Sequence, residues 1–289
     1  MEYIYQDFCK DIEHLKAVLN LADSLKGFSA QNNEPKIDLP DNKFLELAEN
    51  VHLKSREANV GMVFIPGTIV LYLGGRFEYF VKTLFEELSM SIAIKCKKFD
   101  YLPKEYKESL ISLTSEVIKS PAKYGHGDNG VKTFITNLSD NINGSEITDV
   151  NTKCLSITSE NMRPQILNDL FSRIGVKEIW VKLGQQARLQ SFFETADASK
   201  AQKDATKFLN DFMDIRNKVA HPSGSFQWPD TKTVMNHIDY FEMLAKQICD
   251  VATVYETSLV AQGLEKKAKD DAKASSQQAF GSMAGEVVN

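Results

Sequence analysis

The chain is poor in positive charge, in closely spaced cysteines and in long apolar runs, and each shortage removes a class of function. Its 289 residues carry a net charge of −5, whereas a protein that coats nucleic acid indiscriminately carries a strong positive excess, so any nucleic-acid contact must be local. The four cysteines, Cys9, Cys96, Cys154 and Cys249, lie far apart with no C-x-x-C pair. That disfavours a zinc site or a disulfide framework and suits a reduced, intracellular chain. The longest apolar stretch, around residues 62–73, is broken by Pro66, Gly67 and Thr68 and is too short to span a bilayer. The N-terminal "MEYIYQDFCKDIEH" has early acids and no signal-peptide core. A cytoplasmic protein with no membrane partner is expected. Phosphate-binding G-x-x-x-x-G-K-[ST] and G-x-G-x-x-G loops, the G-x-S-x-G hydrolase turn and internal repeats are all missing.

What is present is helical periodicity. Phe8, Ile12, Leu15, Leu19, Ala22 and Leu25 predict a first amphipathic helix, followed by a loop, "GFSAQNNEPKIDLPDN", and a more polar helix over 42–60. The strongest helix starts near Pro66, with Val70, Leu73, Phe77, Phe80, Val81, Leu84, Leu88 and Ile92 in one stripe. Gly74 and Gly75 sit inside it at a cost of roughly 1 kcal/mol each relative to alanine, so close approach of a neighbour is expected there. Residues 103–120 form a further helix, and 139–162 mix β-branched and turn residues, as a short hairpin or an irregular insertion would. "RPQILNDLFSRIG" is a short helix capped by Gly175. Ser199 and Gln202 form an S-x-x-Q capping box opening a helix with Ala205, Phe208, Leu209, Phe212, Met213 and Val219 in line. "WPDTKTVMNHIDYFEMLAKQICDVATVYETSLVAQ" reads as a last long helix, with Val234, Ile238, Phe241, Ala245, Ile248, Val251, Tyr255 and Leu259 in line, and 263–289 read as a flexible tail. The expected fold is an all-α bundle, one domain over 1–262.

The helix from 199 finishes in "DIRNKVAHP", where Pro222 disfavours helical geometry at His221. Arg216 and His221 are about 140° apart on a regular helix, but relaxation at His221 lets both project from one end. Histidine titrates near neutral pH and serves as proton donor or acceptor. Arginine stays charged and grips phosphate through a planar fork, and Asn217 could orient the histidine or donate to a phosphate oxygen. Those are the requirements of phosphodiester cleavage through the 2′-hydroxyl. The plainer alternative is that Arg216 and His221 cap the last carbonyls of the helix.

"RNKVAH" resembles the R-x(4–6)-H signature of the HEPN superfamily, with a polar residue after the arginine and a small one before the histidine. "LYLGGRFEYFVKTLFEEL" is similar to the helix on which such proteins carry a glycine and an acidic residue facing the motif, and Glu78 stands at that place. The resemblance spans 66–98 and 199–260, with 100–198 matched loosely, and is closest to either the MAE-like or the RiboL-PSP-HEPN branch. It implies an all-α, metal-independent endoribonuclease without cofactor, acting in toxin–antitoxin or antiphage systems. RNA would be its substrate, a second copy its usual partner, and an antitoxin or defence protein a further one. Arg216, His221, Asn217 and Glu78 would form the site, with Glu78 holding Arg216 in a bidentate pair. It equally allows a catalytically silent subunit that binds protein or RNA.

"KCKKFDYLPKEYK" gathers Lys95, Lys97, Lys98, Lys104 and Lys107 around Phe99, Tyr101 and Tyr106. Cations for phosphates and rings for unpaired bases would suit single-stranded RNA, while a solvated lysine face with inward aromatics is the simpler reading. His14, His52, His126 and His237 have no metal-ligand spacing and are expected on the surface or at helix ends.

Overall fold

The central helix is apolar on nearly every side, and the rest of the chain is arranged to cover it. A computed structural model describes residues 1–31, 43–224 and 226–285. The described residues hold eleven α-helices: α1 (Glu2–Ser29), α2 (Lys43–Ala58), α3 (Phe64–Cys96), α4 (Lys104–Lys119), α5 (Asp128–Ile142), α6 (Thr152–Leu155), α7 (Pro164–Ser172), α8 (Ile179–Gly184), α9 (Ala187–Phe192), α10 (Ala198–Ala220) and α11 (Thr231–Gly285). Along α3 the expected stripe is buried, and Ile69, Phe85 and Ala93 join it. Helices α1, α10 and α11 pack around that cylinder. Pro66 falls in the first turn of α3, where its missing N–H would be unpaired in any case. The chain is therefore all-α, with no strand among the described residues, and no single helix there is long and apolar enough to cross a membrane.

Two local expectations are revised and one open alternative is decided. The loop placed at 27–42 begins later, because α1 continues to Ser29; residues 32–42 lie outside the described residues. The 139–162 segment is the irregular alternative rather than a hairpin. Ile147 and Val150 bury their side chains, and side-chain amides replace a strand ladder: Asn151 Nδ2 donates to the carbonyl of Phe134 (2.9 Å) and Asn141 Nδ2 to that of Asp149 (3.0 Å). Helix α10 is capped two residues before the expected box, by Asp197, whose Oδ1 accepts from the N–H groups of Ser199 (2.8 Å) and Lys200 (3.4 Å). A carboxylate is at least as good an N-cap as a serine hydroxyl and also favours the positive end of the helix dipole.

Residues 263–285, read from composition as a tail, continue α11. Gly263 explains the first turns: a Cβ there would lie 2.7 Å from Cys96 Sγ and 3.0 Å from the carbonyl of Tyr101. Its bare backbone lets α11 press on the end of α3, and Lys266 Nζ then donates to the carbonyl of Leu102 (3.3 Å).

The glycines inside helices give a paired stability prediction. At Gly184, which faces the start of α10, a Cβ would fall 2.5 Å from the Ala198 carbonyl oxygen and 2.9 Å from Gln202 Cβ, whereas at Gly75 it would meet nothing within 4 Å. Gly184→Ala is expected to destabilise by roughly 1–3 kcal/mol through overpacking. Gly75→Ala is expected to stabilise by about 0.5–1 kcal/mol through helix entropy. Urea denaturation of both variants checks this, and a stabilising Gly184→Ala would contradict the α8–α10 contact.

Candidate active site

Helix α10 meets α3 through Phe212, Arg216 and Val219, one face at helical spacing. Gly74 is what brings the two backbones together: a Cβ there would touch Arg216 Cγ at 3.4 Å and Phe212 Cε1 at 3.5 Å. Of the two glycines singled out in α3, Gly74 thus serves helix packing, and Gly75 is open.

The guanidinium of Arg216 then turns toward Asn217, donating from Nη1 to Oδ1 (3.3 Å). The same Oδ1 accepts from Asn161 Nδ2 (2.8 Å). The segment carrying Asn161 is tied down next door by Arg163, which reaches Asn210 (3.2 Å) and Asp214 (2.6 Å) on α10. Asn217 Oδ1 is thus shared by Arg216 and Asn161, and the Asn217 side chain makes no hydrogen bond to the His221 side chain among the described residues. The expected Glu78–Arg216 pair is not formed: Glu78 Oε1 pairs with Lys82 Nζ at 2.7 Å and accepts from Thr158 Oγ1 at 3.5 Å. The physical reason is proximity along α3, since a lysine four residues on is always within reach of a glutamate.

His221 ends α10 as the relaxed backbone predicts, with φ −133° and ψ 67°, its N–H donating to the Asn217 carbonyl (3.0 Å). Its side chain is exposed and makes no hydrogen bond among the described residues. It lines a cleft of about 530 Å³ with Ile215, Lys218, Phe226, Gln227 and Trp228, from which Arg216 is absent. The cation sharing the cleft with His221 is Lys218, which has no carboxylate partner among the described residues. Its spacing, three residues before His221, is the sequence signal that places the two side by side. Asp230, also on the rim, spends its carboxylate as a cap on α11. The N–H of Thr233 donates to it at 2.6 Å and holds its carboxyl below the usual carboxylate range.

The floor of the cleft rests on α3. A Cβ at Gly67 would collide with Trp228 Cε3 at 2.5 Å, so the indole lies against bare backbone. Phe64 and Phe226 meet Trp228 with ring centroids 4.9 and 5.4 Å away.

A family model described as RiboL-PSP-HEPN matches residues 45–253, a span holding α3, α10 and every residue of this cleft. The chain belongs to the RiboL-PSP-HEPN family. Comparison with curated proteins and with solved structures gave no match. Within this RiboL-PSP-HEPN chain, the motif helix and the glycine-bearing helix are in contact as the resemblance implied, while their polar residues pair differently.

The lysine cluster lies at the other end of α3, about 30 Å from Gly74 at 1.5 Å per residue. Lys95 pairs with Glu256 (2.6 Å), Lys97 with Glu146 (3.3 Å) and Lys104 with Glu108 (3.7 Å). Lys107 leans over Phe99, its Nζ 6.0 Å from the ring centroid, and donates to the Asp100 carbonyl; Lys98 is exposed. Tyr106 is fully buried, and Phe99 and Tyr101 are half-buried against the core, so the rings face inward. Two of the histidines are also not the surface groups expected. His237 is buried between Phe208 and Phe212 (4.6 and 5.1 Å), and His52 packs on Phe28 with its Nε2 buried.

Proposed function

We propose that this RiboL-PSP-HEPN protein is an endoribonuclease that acts as a toxin or antiphage effector, with His221 as general acid or base. The observation that supports it is the exposed imidazole at the end of α10, unengaged among the described residues, opening into a cleft with aromatic rings and a lysine that has no carboxylate partner among them. In the reaction a base takes the proton of the 2′-hydroxyl, that oxygen attacks phosphorus, and an acid protonates the departing 5′-oxygen, leaving a 2′,3′-cyclic phosphate. Base and acid are two roles, and each chain offers one histidine in this motif. A two-fold pairing that opposes two copies of "RNKVAH" supplies both, with Arg216 as the phosphate clamp.

Expression of the wild-type chain should stop growth of the host cell, and the His221→Ala chain should not. The purified protein should cleave single-stranded RNA in EDTA. Cleavage that EDTA abolishes would defeat the metal-independent route. Mixing His221→Ala chains with wild type should lower activity beyond simple dilution.

A catalytically silent, partner-binding subunit is favoured by one observation: Arg216 is held toward Asn217 and Asn161, away from the His221 cleft. Unimpaired growth together with intact RNA in vitro would select that reading.

For RNA contact the cleft is preferred over the lysine cluster, because Lys95, Lys97 and Lys104 already neighbour carboxylates. Replacing Lys97, Lys98 and Lys104 with glutamine is expected to change the salt dependence of RNA binding by no more than about one phosphate contact. Loss of most of the salt dependence, read from binding isotherms across a salt series, would return the cluster to the interface.

A further inference from the structure

We infer that the cleft beside His221 is a base pocket, in which Trp228 stacks one unpaired nucleobase of single-stranded RNA with Phe226 at its side, Gln227 faces its edge and Lys218 meets the adjoining phosphate. The choice of ligand rests on the nuclease reading.

The first part is size. About 530 Å³ lies within the range of about 300–1,000 Å³ that small-ligand sites occupy, and suits one nucleotide rather than a duplex. The second is rigidity. Trp228 cannot retreat from the cleft, because Gly67 backs it without room for a methyl group and two further rings hold it edge-on. A ring fixed before the ligand arrives loses little freedom on stacking, which is the condition for a sequence-tolerant platform. The third is the polar inventory. Among the described residues Lys218 is exposed without an ion-pair partner, Asp230 on the rim is engaged in capping α11, and the Gln227 amide is exposed with both donor and acceptor free. A cation, two rings and an amide lining one cleft match a phosphate, a base face and a base edge.

A duplex hides base faces inside its stack, so the pocket selects unpaired bases. The base lies next to the phosphate that His221 addresses, so the same contact would decide which linkage is cut.

The test uses the full chain carrying His221→Ala, so that RNA survives the titration. Tryptophan emission is followed as a short single-stranded RNA, the matching duplex and a strand of abasic nucleotides are added. The chain has two tryptophans. Trp180 is buried with its Nε1–H donating to the Pro164 carbonyl, so quenching by RNA reports Trp228. The single strand should quench; the duplex and the abasic strand should not. Trp228→Leu should weaken binding about 5- to 150-fold, the equivalent of losing one stacked base, and Trp228→Phe should restore most of it. Lys218→Gln, at an exposed position that folding does not need, should lower the salt slope by about one. Gln227→Ala should alter the preference among homopolymers.

Binding without quenching, full affinity in a folded Trp228→Leu chain, or an unchanged salt slope in Lys218→Gln would each overturn the pocket, as would failure of any RNA to bind. The two proposals separate cleanly. Trp228-dependent quenching by RNA that the wild type never cuts keeps the pocket and removes the nuclease. Cleavage without quenching does the reverse.

Discussion

Replacing His221 with alanine is expected to lower RNA cleavage by about 10²- to 10⁴-fold, the contribution of one positioned general acid or base. Its unfolding free energy should stay within about 0.5 kcal/mol of wild type, as for surface positions away from special features. Both halves follow from its place at the end of α10. The imidazole is exposed and makes no hydrogen bond among the described residues, and the N–H that closes the helix on Asn217 survives in alanine. If the histidine were only a helix cap, the result would invert, with stability lost and no cleavage to lose. Arg216 behaves differently, because its stem fills the space at Gly74 beside Phe212. Arg216→Ala should therefore lose packing as well as cleavage, whereas Arg216→Met keeps the aliphatic stem and should lose cleavage alone. Single-turnover cleavage rates and urea unfolding on the same preparations separate these outcomes. An active Arg216→Met enzyme would remove the arginine from the chemistry.

Stability is expected to fall by about 3 kcal/mol between pH 7 and pH 4 through His237 alone. Burial between α10 and α11 pushes the imidazole down to about 4 from its usual 6.5, with Asp211 pulling weakly the other way. Its Nδ1 is buried without a hydrogen-bond partner among the described residues, so no hydrogen bond there offsets the cost of burying the charged form. The sign follows from which state binds that proton. Below about pH 6.5 the unfolded chain takes it up and the folded chain does not, so stability drops as pH falls from 6.5 toward 4 and is complete above that window. Carboxylates also titrate at low pH, so the measurement is a difference: His237→Leu should show a shallower loss in urea midpoint from pH 7 to pH 4 than wild type. Parallel losses in the two chains would refute the assignment. The consequence reaches the site, since Phe212 touches both His237 and the Gly74 contact that seats Arg216.

Much of this architecture can be read along the chain. The stripe from Val70 to Ile92 marks α3, Pro66 its first turn, and Pro222 the end of α10 at Ala220. Each is a short-range effect, set by side-chain period, by a missing N–H or by clash with the next residue. The family signature is legible for the same reason, being a local run on one helix. Lys218 was readable too, by its spacing from His221. Partnership across helices was not. Glu78 turns to Lys82, Asn217 to Arg216, and Trp228 onto Gly67, while His237 disappears between two phenylalanines. Periodicity states which face of a helix is apolar, but not where along its neighbour that face comes to rest. A slide of one turn, 5.4 Å, would exchange every polar contact in the site while leaving the apolar stripes equally buried. That register depends on the places where a side chain is missing altogether, Gly67, Gly74, Gly184 and Gly263, and on the bulky groups that fill them from other helices and loops.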